Sequence, residues 1–176
     1  EEPPVIGEEE ALEEAVELYE SILDMLGEFA AKEIAPKARE IDVDEPKLED
    51  GVVTFPRVQQ EIYDKMKELE VHGMCVPRSL GGMNCPFTLF LGSVEMIARG
   101  DVSVAAHFGF HGGIAMASIL MSIMEGTSKF DEQSMDIVET RFPDMIREIL
   151  AGEAWGSMDI TEPGAGSDMG AIRARG

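Results

Sequence analysis

A chain of 176 residues suits one domain, or one domain and the start of another, and 44% hydrophobic residues are enough to bury a core. With 14 basic against 35 acidic residues the net charge is −21. Such a field repels nucleic-acid phosphates and anionic lipid surfaces, so neither is an expected partner, and most of the acidic excess reads as a solvated surface. From Glu8 to about Pro36 the chain reads as one amphipathic helix: Leu12, Val16, Tyr19, Leu23, Leu26 and Ala30 recur at steps of three and four. Pro36 is expected to end or kink it, because proline has no N–H and clashes with the preceding turn. Residues 42–51 form an acidic connection. Pro56 opens a second helix with Val58, Ile62, Met66 and Leu69 inward, and Gly73 signals its end.

Residues 77–86 (PRSLGGMNCP) have the chemistry of a loop, with Gly81-Gly82 free to take positive φ. A third helix, Phe87 to Ala98, is closed by Arg99-Gly100, and Asp101 or Ser103 supplies the cap of a fourth. That fourth segment, Val102 to Met124, contains no Asp, Glu, Lys or Arg and is long enough to cross a bilayer. His107, His111, three serines and three glycines lie inside it, and its flanks are acidic where a span would carry basic anchors. It therefore reads as the central helix of a bundle, enclosed by others, and no membrane span is expected. Gly109 and Gly113 form a small-xxx-small pair open to close approach, a spacing that membrane dimers share. Met116, Met121 and Met124 read as adaptable packing.

Past Gly126, residues Phe130 to Arg141 and Pro143 to Leu150 are expected as two shorter helices. From Ala154 the character changes. Trp155 to Thr161 has strand-like composition, Glu162 to Ser167 is a turn, and a further extended segment begins near Ala171. The fold class is thus mainly α: a helical domain over 1–153 followed by the first strands of an incomplete β domain over 154–176. There are no internal repeats. Cys75 and Cys85 have neither CxxC spacing nor a histidine cluster, so no metal site is expected, and a reduced pair is the default although a disulfide across that loop is geometrically possible. The chain begins Glu1-Glu2-Pro3-Pro4 without a basic or apolar leader, and a cytoplasmic location is expected.

The stretch that carries chemistry is WGSMDITEPGAGSD, residues 155–168. It delivers a Thr hydroxyl and then a Pro-Gly turn whose backbone can come close to a ligand, with successive N–H groups suited to an anion. It is not a dinucleotide fingerprint, since Met169 occupies the third glycine position, nor a nucleophile elbow, since Ser167 lacks the glycine two residues on. His107, His111 and Trp155 read as core or pocket-lining residues.

The run Thr161-Glu162-Pro163-Gly164-Ala165-Gly166-Ser167-Asp168 resembles the signature of the acyl-CoA dehydrogenase family. Upstream, Val76-Pro77 with Gly81-Gly82, Glu95 with Ile97-Ala98-Arg99, Asp101-Val102-Ser103, Gly126-Thr127 and Gly152-Glu153 are similar to further family landmarks in the same order. The 126–152 interval is longer than usual, and Ser128-Lys129 replaces an expected Gln-Lys, which leaves subfamily and acyl group open. The resemblance implies an FAD-dependent enzyme that desaturates an acyl-CoA thioester at the α and β carbons. In this family a carboxylate takes the α-proton while hydride leaves for flavin N5.

By the motif match, Met158, Asp159, Ile160, Thr161, Glu162, Pro163, Gly164, Ala165, Gly166 and Ser167 line the flavin. Thr161 bonds its pyrimidine end and Ser167 contacts the CoA part of the substrate, while Glu162 and Asp168 cap turn N–H groups. The family's catalytic Glu is implied to lie outside this chain, so no catalytic residue is assigned and the piece alone is expected to be inactive. The implied partners are acyl-CoA, an electron-transfer flavoprotein and further copies of the chain. CoA and FAD are anions, so the −21 charge implies basic groups near their sites, some supplied from elsewhere. Acyl-CoA oxidases and nitroalkane-type oxidases share the implied architecture, and a helical binding or assembly module without catalysis is the alternative of another class.

Overall fold

The computed structural model describes residues 7–134, 136–157 and 159–174. Six α-helices and two small hairpins follow one another in it: α1 (Glu8–Phe29), α2 (Ala38–Val43), β1 (Lys47–Glu49), β2 (Val52–Thr54), α3 (Arg57–Glu68), α4 (Phe87–Gly100), α5 (Val102–Met124), β3 (Lys129–Phe130), β4 (Ile137–Glu139) and α6 (Pro143–Leu150).

Pro36 does not end the first helix outright. The backbone widens into a π turn over Ala30–Ile34, tightens into a 3₁₀ turn over Ala35–Lys37 and re-forms as α2. Changing the hydrogen-bond step on either side lets a residue without an N–H sit early in a new turn. The C-terminal end of α4 lies against that π turn: a Cβ at Gly100 would fall 3.1 Å from the Ala30 carbonyl oxygen. The second helix ends earlier than expected, at Glu68, where Glu70 takes a left-handed conformation ahead of a short 3₁₀ turn over Val71–Gly73.

Two regions expected as connection or helix are hairpins. In β1–β2 the turn residues Asp50 and Gly51 both have positive φ (51° and 81°), as a type I′ turn requires. All six paired residues are exposed, so the local turn rather than a core sets this register. The expected helix over Phe130 to Arg141 is replaced by β3–β4. There the Asp131 carboxylate accepts from the amides of Gln133 and Ser134 and from the Ser134 hydroxyl, and these bonds hold its pKa below the ordinary value. An Asx turn of this kind competes directly with helix formation. Ile137 is buried beside Val76 and Ile146, and its carbonyl accepts from the Ser79 hydroxyl at 2.5 Å.

The core has two parts. Leu26, Ile34, Ile62, Met66, Ile97 and Phe108 join α1, α3, α4 and the first half of α5, while Ala115, Ile119, Ile146 and Ile149 join the second half of α5 to α6. Helix α5 runs through both. By length and composition it could cross a membrane, with mean hydropathy 1.4. Val104, Phe108, His111, Ala115, Ile119 and Ser122 are nevertheless buried along one face. Among the described residues the enclosure expected on all sides is not complete, since Phe110, Leu120, Met121 and Met124 are exposed on the other face.

Asp101, and not Ser103, caps α5: its carboxylate accepts from the amides of Ser103 at 2.9 Å and Val104 at 3.0 Å. Asp101→Ala is expected to lower stability by about 1 kcal/mol in urea titrations, the usual cost of an N-cap. At the other end Gly126 is left-handed (φ 69°) and the amide of Thr127 returns to the Ser122 carbonyl at 2.9 Å, the hydrogen-bond pattern of a glycine C-cap. The buried Ser122 hydroxyl accepts from the Ser128 hydroxyl and the Arg141 amide, both at 2.9 Å, so one side chain ties α5 to the hairpin and to the start of α6.

Candidate functional site

Beyond α6 the chain runs without regular strands. The expected strand from Trp155 to Thr161 and the extended segment near Ala171 form no ladder among the described residues; the latter region is a 3₁₀ turn over Met169–Ala171. Strand-like residues need a partner edge to become a strand, and among the described residues no strand edge pairs with them. The predicted turn does form. Glu162 and Ala165 exchange backbone bonds in both directions, at 2.9 and 3.1 Å, without a left-handed residue at Gly164. The Glu162 carboxylate accepts from the amides of Arg173 at 3.0 Å and Ala174 at 2.7 Å, so it bonds the segment after the turn rather than the expected N–H groups of the turn itself, and pins that segment back over the turn.

Of the residues expected at a flavin, Met158 lies outside the described residues. Asp159, Ile160, Thr161, Pro163, Gly164, Gly166 and Ser167 are exposed, Glu162 is half-buried and Ala165 is buried. The turn brings Thr161 and Ser167 onto one short loop, and a Cβ at Gly164 or Gly166 would meet nothing within 4 Å. Among the described residues the amides of Gly164, Gly166 and Ser167 donate to no protein acceptor. The arrangement leaves two hydroxyls and three N–H groups free for a ligand approaching the backbone.

At Ser157, ahead of the turn, α5 presents a groove of about 500 Å³ lined mainly by apolar groups of Phe110, Gly113, Ile114, Met121 and Phe142, with Ser118, Glu125 and Ser157 also on its wall. Gly113 widens it, since nothing stands where its Cβ would be. Gly156 lets the loop lie against α5, because a Cβ there would fall 2.1 Å from the tip of Ile114. Met121 serves the groove, Met116 packs on the second core, and Met124 is exposed.

A second feature had little sequence signal. All three histidines of the chain converge beneath Trp155. The indole centroid lies 3.5 Å from the His107 ring, 4.2 Å from His111 and 5.5 Å from His72. Tyr63 stacks on His107 at 4.0 Å and receives a bond from Gln59 at 2.7 Å; burial pushes its phenol up to about 12. His111 donates from Nε2 to the Ile149 carbonyl at 2.5 Å. The spacing of 107 and 111 puts both on one helical face, but His72 and Tyr63 reach the same point from elsewhere in the chain. Among the described residues no group of His, Cys, Asp and Glu is placed to hold a metal, and Cys75 and Cys85 are free thiols.

Residues 17–129 match the family described as acyl-CoA dehydrogenase, N-terminal domain. The chain belongs to the acyl-CoA dehydrogenase family. The matched region contains the landmarks at 76–82, 95–103 and 126–127; the Gly152 cap of α6 and the 161–168 turn lie past it.

Among family members, benzylmalonyl-CoA dehydrogenase of Aromatoleum aromaticum is 32% identical over 86% of this chain and 34% of its own length. Mitochondrial isovaleryl-CoA dehydrogenase of Arabidopsis thaliana is 24% identical over 86% of this chain and 32% of its own length. The chain thus spans about a third of the length of these relatives. A solved chain described under the electron transferring flavoprotein of Acidaminococcus fermentans and flavin-based electron bifurcation superposes with a TM-score of 0.60 over 87% of this chain and 34% of that one, at 23% identity. At that identity the likeness is one of fold. The mainly helical fold agrees with that membership.

Proposed function

We propose that this chain supplies the N-terminal helical domain, residues 1–153, and the opening of the next domain, residues 154–176, of an FAD-dependent acyl-CoA dehydrogenase. The observation that carries the reading is the 161–168 turn, which displays the Thr161 and Ser167 hydroxyls and unpartnered amides around two glycines with open space at their Cβ positions. These residues fit a flavin edge: donors without protein partners, on backbone no side chain shields. Bound there, FAD would supply the acceptor for the hydride that leaves the β-carbon. Thr161 would donate to the pyrimidine end of the ring, and the turn amides would be placed to stabilise negative charge there. Ser167 bonds the CoA portion of the substrate. The acyl chain lies along the α5 groove, with Met121 adapting to its shape. Glu162 holds the loop closed through the amides of Arg173 and Ala174 and takes no proton from substrate. An electron-transfer flavoprotein receives the electrons, further copies of the chain complete the assembly, and the location is cytoplasmic.

In the full-length protein, anaerobic addition of acyl-CoA is expected to bleach a bound yellow flavin. Ser167→Ala is expected to weaken acyl-CoA binding by about 0.5–1.5 kcal/mol, the worth of one hydrogen bond, with flavin content unchanged. Thr161→Val is expected to lower the flavin potential or its retention instead. Calorimetry and absorbance separate the two, and loss of flavin from Ser167→Ala with CoA affinity intact would reverse the assigned roles.

A further inference from the structure

The chamber beneath Trp155 is built from groups that tolerate one protonation state only. His72 and His111 are each 1% exposed. Both nitrogens of His72, Nε2 of His107 and Nδ1 of His111 are buried without a hydrogen-bond partner among the described residues. Because His111 Nε2 must carry a proton to meet the Ile149 carbonyl, its Nδ1 is a bare acceptor in the neutral ring. Among the described residues no carboxylate bonds to any of the three rings, so an imidazolium in this chamber would be a largely buried charge without a paired counter-ion. Among the described residues the charged and titratable groups facing it are Tyr63 and Lys67 from α3, Asp101 at the α4–α5 junction, and Asp159 at the rim beside His107 and Trp155. The α6 end offers only the Ile149 carbonyl and Gly152, whose Cβ position is 3.2 Å from Lys67 and 3.4 Å from His72.

We propose that Trp155 is an acid-released latch: its indole closes the three-histidine chamber and seats the loop that follows, and protonation of the imidazoles frees both. The geometry supports this directly. Trp155 is 39% exposed, so it lies over the chamber rather than inside it, and the next residue, Gly156, packs so tightly on Ile114 of α5 that a Cβ there would fall 2.1 Å from it. Burial, followed by the neighbouring imidazoles, pushes His72 down to about 3 and His107 down to about 4 from 6.5. Burial also lowers His111, opposed by its bond to Ile149. The opened state, with ordinary histidines, binds more protons below pH 6.5 than the closed state does. Closure is therefore fully stable above 6.5 and weakens as the pH falls towards 4. Ordinary carboxylates titrate near 4, so the interval from 6.5 to 5 reports on histidines.

This chain has one Trp, so the latch can be read without ambiguity. Hydrogen exchange at the Trp155 indole, packed on the histidine rings, gives the opening constant from pH 7.5 to 5 once corrected for its intrinsic rate, and acrylamide quenching gives an independent measure. The constant is expected to be flat above pH 6.5 and to rise below it by up to tenfold per pH unit for each histidine that takes up a proton, while helical circular dichroism stays constant. His107→Phe keeps an aromatic face against the indole but cannot titrate, and should reduce that slope by as much as tenfold per unit; His72→Phe should act alike. A pH-independent opening constant, an unchanged slope in both Phe variants, or loss of helix in step with exposure would overturn the latch. For the flavin turn the consequence rests on the proposed function, but the exchange measurement contains no flavin. Failure of flavin to bind would sink that reading alone, and a flat exchange profile would sink the latch alone.

Discussion

Ile119→Asp is expected to unfold the second core. Ile119 is 2% exposed on the buried face of α5, among Val76, Ala115, Ile137, Ile146 and Ile149. None of these can pair with a carboxylate. The substitution removes a packed apolar side chain and asks the site either to bury a charge or to rearrange, at a cost of roughly 4 kcal/mol. That is a large share of the 5–15 kcal/mol that holds a typical domain together. Chemical denaturation should show a midpoint shifted far down or no folded baseline. The contrasting change is Leu120→Asp, one residue on and 56% exposed, expected to stay within about 0.5 kcal/mol of the parent. Equal sensitivity at both positions would mean that α5 is covered on both faces or lies in a membrane. This pair therefore tests the orientation of the helix as well as its burial.

Gly82→Ala is expected to cost about 2–4 kcal/mol for a different reason. A Cβ at Gly82 would fall 2.1 Å from the carbonyl oxygen of Val76 and 2.5 Å from its carbonyl carbon, so backbone and not a flexible tip must move. The loop is already closed on itself: the amide of Gly82 donates to the Pro77 carbonyl at 3.0 Å, Met83 to Gly73 at 2.9 Å and Asn84 to Val76 at 2.9 Å. Opening it to admit a methyl would strain these bonds and displace Val76, which is 1% exposed. Thermal unfolding of this variant should be compared with Gly92→Ala. Position 92 is inside α4 with nothing within 4 Å of its Cβ, so alanine there should stabilise by about 0.5–1 kcal/mol through helix propensity. A neutral Gly82→Ala would mean that the loop is looser than the structure has it.

The sites of these two changes differ in how legible they were. Gly81-Gly82 stood out as a family landmark, but its reason is steric and three-dimensional: Gly81 supplies the positive φ (89°), while Gly82 supplies room for the Val76 carbonyl. The Gly126 and Gly152 landmarks likewise become helix caps, both left-handed at φ 69° and 65°.

The sequence by itself determined the longer helices α1, α3, α4 and α5 and the family, but not the 130–141 segment or which face of α5 is covered. A period near 3.6 over many residues has no competing local solution, and turn signals such as Pro56, Asp101 and Pro143 mark their starts through backbone geometry alone. The 162–165 turn was legible for the same reason. Tertiary structure decided the rest. Asp50-Gly51 carried a hairpin signal, yet its strands have no buried face to reveal them by alternation. The 130–141 segment has helix-compatible composition, but the Asp131 turn and the burial of Ile137 against Val76 and Ile146 favour a hairpin. Trp155–Thr161 is strand-like in composition and unpaired here, because a strand is a relation between two segments. The histidine chamber depends on α3, α5, the turn at 71–73 and the loop after α6 meeting at one point. Contacts between residues so far apart in the chain follow from packing, which no local pattern records.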